Sequence, residues 1–297
     1  MKFWSAVTVL ACLAAGFAPP ASLADEHALP IWQIDGDNNR IYLLGSVHLL
    51  REQDYPLPSR IEDVYADAEQ LIMELDLDDL DEARAQTLVT ELGSISNGSS
   101  LAELLGQADY DQASTLAAEI NFPLQMLASV EPWLAAITIE QLMLQRIGFN
   151  PDFGIEAYFM KKAAEDGKEI TGLEELSEQL GLLDSLSAGA QRSLLLQTLT
   201  DAADIAATMN DLIDAWRVGD AAYLEANMLR DMQKFPELYE AIVVNRNRNW
   251  VESIEDLVDD DRDYLIVVGA LHLVGEDSVP AMLAERGRPA VQLRQSD

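Results

Sequence analysis

Two phrases, LLGSVHLL (residues 43–50) and VVGALHLV (residues 267–274), hold two of the chain's three histidines, His48 and His272. Both follow one pattern: an aliphatic run, Gly, two residues, His, Leu, an aliphatic. Imidazole is the commonest metal ligand and the commonest general base near neutral pH. An aliphatic run ending at a glycine reads as a strand entering a turn, and in α/β proteins ligands bind just beyond the carboxyl ends of the strands. If the two strands lie side by side in one sheet, His48 and His272 meet at one edge. A single histidine beside an apolar run is more often a satisfied core residue than a ligand. Two of three in matching contexts weigh toward a shared site.

Three glutamates are candidates to join them. Glu74 interrupts the apolar run LIMELDL, residues 71–77. A carboxylate on a buried strand needs a partner, and a metal ion or an imidazolium would serve; the other reading turns it to solvent at the strand end. Glu156 lies in the middle of the apolar arc of a helix that also holds Ile155, Phe159, Met160, Ala163 and Ala164. It reads either as a buried group with a partner inside or as a first-turn acid favoured by the helix dipole. Glu174 ends the short run EITGL, either at the histidine edge or as the first-turn acid of the next helix.

The elements that position these residues follow from periodicity. IWQI (31–34) and RIYLLG (40–45) flank DGDNN, a hairpin signature. A helix over 59–68 and a strand over 70–77 complete a strand–helix–strand unit. At the far end, YLIVVGALHLV (264–274), a helix over 278–286 and PAVQL (289–293) repeat that order. The stretch between is mostly helical, apart from EITGL, with one helix running from Gly154 to Gly167. The fold class is therefore α/β in the α+β sense. Two terminal half-units, 25–78 and 262–297, form one central sheet around a large helical insertion, 79–261, within one domain.

Composition excludes some functions. With 52 acidic and 19 basic residues the formal net charge is −33, which disfavours nucleic acid and anionic membrane surfaces. Residues 1–24 read as a signal peptide: Lys2, an apolar run over 5–17, and small residues before a cut after Ala24. No later run is long enough for a membrane span. The only cysteine, Cys12, falls within that leader, so the mature chain has no thiol or disulfide chemistry. These features describe an exported, periplasmic protein.

The chain resembles the TraB/PrgY/GumN family, whose members include the Tiki metalloproteases and which is remotely similar to the erythromycin-esterase and ChaN haem-binding groups. IYLLGSVHLL, QLIMELDL, PDFGIEAYFMKKAAEDGKEITGLEELSEQL, RNRNW and YLIVVGALHLVGEDSVP carry the likeness. It implies a centre of His48, Glu74 and His272 holding a divalent transition metal (manganese, cobalt or zinc), with Arg246, Glu156 and Glu174 around it. Members often have Thr at position 46, Asp at 156 and Thr at 175, where this chain has Ser46, Glu156 and Glu175. Two imidazoles and a carboxylate match a catalytic metal site with an open position, whose bound water is activated. Arg246 would then stabilise oxyanion charge, and Glu156 or Glu174 would handle protons. The expectation is a metal-dependent hydrolase acting on a peptide or small-molecule substrate. The alternatives are a metal-free esterase-like hydrolase, with His48 activating water, and a non-catalytic peptide- or haem-binding protein.

Overall fold

The computed structural model describes residues 28–295. The leader expected over 1–24 lies outside them. Six strands make one sheet: β1 (Ala28–Asp35), β2 (Arg40–Ser46), β3 (Gln70–Leu75), β4 (Ile170–Glu174), β5 (Tyr264–Gly269) and β6 (Val291–Arg294), in the order β4-β3-β5-β2-β1-β6. β1 and β2 form the hairpin that DGDNN predicts, pairing Ile31 with Leu44 through to Asp35 with Arg40. The helix Ser59–Asp67 then returns the chain to β3.

β5 lies between β2 and β3 and runs parallel to both, pairing Ser46 with Gly269 and Met73 with Val267. The two histidine phrases are thus on neighbouring parallel strands. Every residue of β3 and β5 is buried, as fits central parallel strands covered on both faces. Leu71, Leu265, Ile266 and Val267 are fully buried here, each worth about 1.5–3 kcal/mol.

The strand expected within the helical middle, EITGL, is β4, and it joins the sheet as an edge strand parallel to β3. One detail differs from the sequence expectation: β6 does not return beside β5 but pairs antiparallel with β1 at the opposite edge. Both flanks of β5 are already taken by β2 and β3, so the edge of β1 is what remains on that side. Among the described residues no helix is long and apolar enough to cross a membrane.

Candidate active site

β2, β3, β4 and β5 all run in one direction, so their carboxyl ends share one edge of the sheet. There β2 leads to His48, β3 presents Glu74, β4 ends at Glu174, and β5 passes through Gly269 into the 3-10 turn Ala270–Leu273, which holds His272. Two helices supply the rest: Ile155–Asp166 gives Glu156, and Asn245–Val258 gives Arg246. All six candidate residues converge at this edge.

His48 is fixed by Glu156. Its Nδ1 lies 2.8 Å from Glu156 Oε1, and only about a tenth of either side chain is exposed. The contact depends on a close backbone approach: a Cβ on Gly154 would lie 2.1 Å from the His48 carbonyl oxygen. With no Cβ there, the helix docks its first turn on residues 47–48, and the Ile155 N–H donates to the Val47 carbonyl at 3.2 Å. Burial opposes charge on the His48 ring, but the Glu156 carboxylate outweighs it and lifts His48 to about 9.

Arg246 ties the other two carboxylates together. Its Nη2 donates to Glu74 Oε2 at 2.6 Å and to Glu174 Oε1, and its Nε lies 3.1 Å from both Glu174 oxygens. Nη1 donates to the Ile242 carbonyl and to His272 Nε2, at 3.4 and 3.2 Å. That engages all five N–H groups of the guanidinium. Gln179, which the sequence reading missed, donates its amide N–H to Glu74 at 3.3 Å and to Glu174 at 3.0 Å. Glu74 Oε1 accepts the Gly269 N–H at 2.7 Å. Burial alone would raise Glu74, yet Arg246 above all, with the charged His48 and the Gly269 N–H, holds it down to about 2. Glu174 lies above the usual carboxylate range because burial prevails over Arg246.

The two histidines are not equivalent. His272 is 1% exposed, and burial together with Arg246 depresses it to about 3, so it is neutral. Its Nδ1–H donates to Asn247 Oδ1 at 2.6 Å, and the Asn247 amide N–H in turn donates to the Asp277 carbonyl at 2.7 Å. Nε2 is then the acceptor for Arg246. Trp250 packs on the ring with centroids 4.5 Å apart. Neither Asn247 nor Trp250 was singled out from the sequence, although both follow Arg246 in RNRNW.

Gly269, with no side chain, leaves a point where three site residues meet. A Cβ built there would meet Glu74 Oε1 at 3.3 Å, His48 Nε2 at 3.5 Å and His272 Cδ2 at 3.6 Å. His48 and Glu74 also line a space of about 10 Å³, with Met73, Leu75, Leu77 and Glu156, that matches one water molecule. Leu75 also borders a cleft of about 760 Å³ whose wall includes Glu174. That volume is within the usual range of ligand sites.

His48, Glu74 and His272 therefore meet, but not as a set of three metal ligands. His48 Nε2 and Glu74 Oε1 face the Gly269 point, whereas His272 presents a ring carbon there and turns Nε2 to Arg246. Among the described residues no three His, Cys, Asp or Glu side chains are disposed to hold a metal ion. A three-ligand centre does not fit this arrangement of side chains, because the Arg246 guanidinium stands at the donor atom that His272 would offer.

Comparison with known proteins adds kinship. The model of the TraB/PrgY/gumN family matches residues 30–290. The uncharacterized protein YbaP of Escherichia coli (strain K12) is 23% identical over 246 residues, covering 83% of this chain and 88% of that protein. An uncharacterized protein of Treponema pallidum (strain Nichols) is 21% identical over 277 residues, covering 89% of this chain and 83% of that protein. No solved structure matches the chain.

Proposed function

Because this chain belongs to the TraB/PrgY/gumN family and carries a histidine–glutamate pair at a water-sized space, we propose that it is a hydrolase in which His48 activates water. The observation that supports the reading is the setting of His48: Nδ1 is anchored on Glu156, while Nε2 is 3.5 Å from the Gly269 point that Glu74 Oε1 also faces. Water held between His48 and Glu74 loses a proton to Nε2 as its oxygen attacks a carbonyl carbon. Glu156 stabilises the imidazolium that results, and the proton then passes to the leaving group. Arg246 acts as a positioning residue, because its donors hold Glu74 and Glu174. The substrate reaches the space through the cleft beyond Leu75, and the likeness to the Tiki peptidases makes peptides the first substrates to try. Export through the amino-terminal leader is part of the same proposal.

A second reading, metal-dependent hydrolysis, is favoured by the approach of His48 Nε2 and Glu74 Oε1 to one point. It requires His272 to leave Arg246. The test is turnover of a fluorescence-quenched mixed peptide library and of p-nitrophenyl butyrate, by wild type and His48→Ala, with and without EDTA. The first reading predicts activity that survives EDTA and falls at least about 100-fold in His48→Ala. Activity lost to EDTA and restored by manganese, cobalt or zinc would transfer the case to the metal. A wild type inactive on both substrates, with and without added metal, would overturn both readings in favour of a binding protein, for which a Soret band on haem addition is the next check.

A further inference from the structure

The space between His48 and Glu74 takes one water and nothing larger, so a substrate carbonyl reaches it only if a wall moves. The walls are not equally fixed. Met73, Glu74 and Leu75 belong to β3, and Met73 is paired on both sides, with Gly172 of β4 and Val267 of β5. His48 and Glu156 hold each other at 2.8 Å. Leu77 is the remaining wall, and it belongs to no helix or strand. It lies in the connection over 76–81, between β3 and the helix Glu82–Gly93. The ends of that connection are tied: Leu75 pairs with Glu174, and the Asp81 carboxylate accepts the Ala83 and Arg84 N–H groups. Among the described residues, 77–80 make no hydrogen bond to any other segment. The Asp79 N–H goes to Asp76 Oδ1, at 3.4 Å, inside the connection itself. Asp76, Asp78, Asp79 and Asp81 repel one another along it. Its hold on the body is apolar, through Leu77 and Leu80, both half-buried against the core. The same connection separates two spaces. Asp76, Asp79, Leu80 and Asp81 line the cleft of about 760 Å³, whereas Leu77 lines the water-sized space. The seat of the Leu77 side chain is walled by Met73 and Leu75, next to His48 and Glu74. Another apolar side chain of similar size is what fits such a seat.

We propose that Leu77 is a specificity-determining residue: its side chain fills the seat of an apolar substrate side chain, and a peptide bearing a leucine-like residue enters from the cleft by displacing it. Its effect on turnover rests on the hydrolase reading, whereas the displacement itself can be followed without turnover. The acidic cleft on the other side of the connection favours a peptide with cationic flanks.

The test uses two fluorescence-quenched peptides, one with a single leucine among glycines and lysines at both ends, the other with serine in place of the leucine. Wild type is expected to cleave the leucine peptide with a kcat/KM at least about tenfold higher. Leu77→Ala should raise kcat/KM for that peptide about tenfold, chiefly through a lower KM, because the seat no longer has to be emptied. Its kcat should stay within about twofold. A second arm needs no turnover. Leu77→Cys is made in a His48→Ala background and expressed without the leader, which holds the chain's only cysteine. The leucine peptide, at millimolar concentration, should speed the reaction of that thiol with a disulfide reagent at least about fivefold as the side chain leaves its seat, and the serine peptide should not. A thiol rate unchanged by the leucine peptide would overturn the proposal, whatever the wild type hydrolyses. So would a kcat/KM that stays level or falls in Leu77→Ala. A wild type that cleaves neither peptide would overturn the hydrolase reading, and the thiol rates alone would then decide whether the seat takes an apolar side chain.

Discussion

Arg246 brings the positive charge that two buried carboxylates require. Glu74 and Glu174 come from different strands and share one guanidinium nitrogen, with Gln179 bonded to both. Removing the cation would strand both charges out of water. Arg246→Met is therefore expected to cost on the order of 3–5 kcal/mol, read as a lower urea midpoint. A stability within about 0.5 kcal/mol of wild type would show that the carboxylates find other partners. The need for a partner was legible in LIMELDL, where a carboxylate breaks an apolar run. Which partner was not legible. Arg246 lies 172 residues from Glu74, and nothing local in the sequence couples them.

At the scale of elements, two similar phrases have unlike outcomes. β2 stays extended through Ser46, whereas β5 ends at Gly269 and tightens into a 3-10 turn. The strands pair one residue out of step with the repeat, Gly45 opposite Val268 and Ser46 opposite Gly269. His48 is left facing the open space, and His272 is drawn under Arg246, Asn247 and Trp250. The repeat announced two strands meeting at one edge. It was silent on this asymmetry because the packing of a distant helix, Asn245–Val258, decides it. Glu156 was half legible: its place on the apolar face of its helix allowed a buried partner as well as a first-turn acid, and the structure gives it both, with His48 as the partner. The approach that brings them together passes through Gly154. Gly154→Ala puts a Cβ against the His48 carbonyl and forces the helix start away. The expected loss is about 1–3 kcal/mol, as for other overpacked sites, with a fall in turnover as Glu156 parts from His48. Full activity and a wild-type melt would mean that the docking is looser than this contact implies.

At the scale of the molecule, the formal charge of −33 acts on everything that approaches. The cleft continues that field, with Asp76, Asp79, Asp81, Glu91, Glu174, Glu175 and Glu178 against a single Arg84. Cationic peptides should show a higher kcat/KM than matched anionic ones, and raising the salt from about 0.01 to 1 M should shrink the difference. A preference independent of salt would assign it to direct contacts instead. The sheet and its site edge could be read from the two histidine phrases, but the edge strands β4 and β6 were placed only by which flanks remained free. The central claim is that His48, held by Glu156, accepts the proton from water. A base works only when unprotonated, so a His48 raised to about 9 should give turnover that climbs with pH and levels off near that value. Glu156→Gln removes the charge that raises it and should shift the climb to lower pH. The most direct measurement is therefore kcat/KM against pH for wild type and Glu156→Gln. An alkaline climb that moves down in the variant is the predicted result. A profile that is flat, or that stays in place when Glu156 loses its charge, would contradict the account.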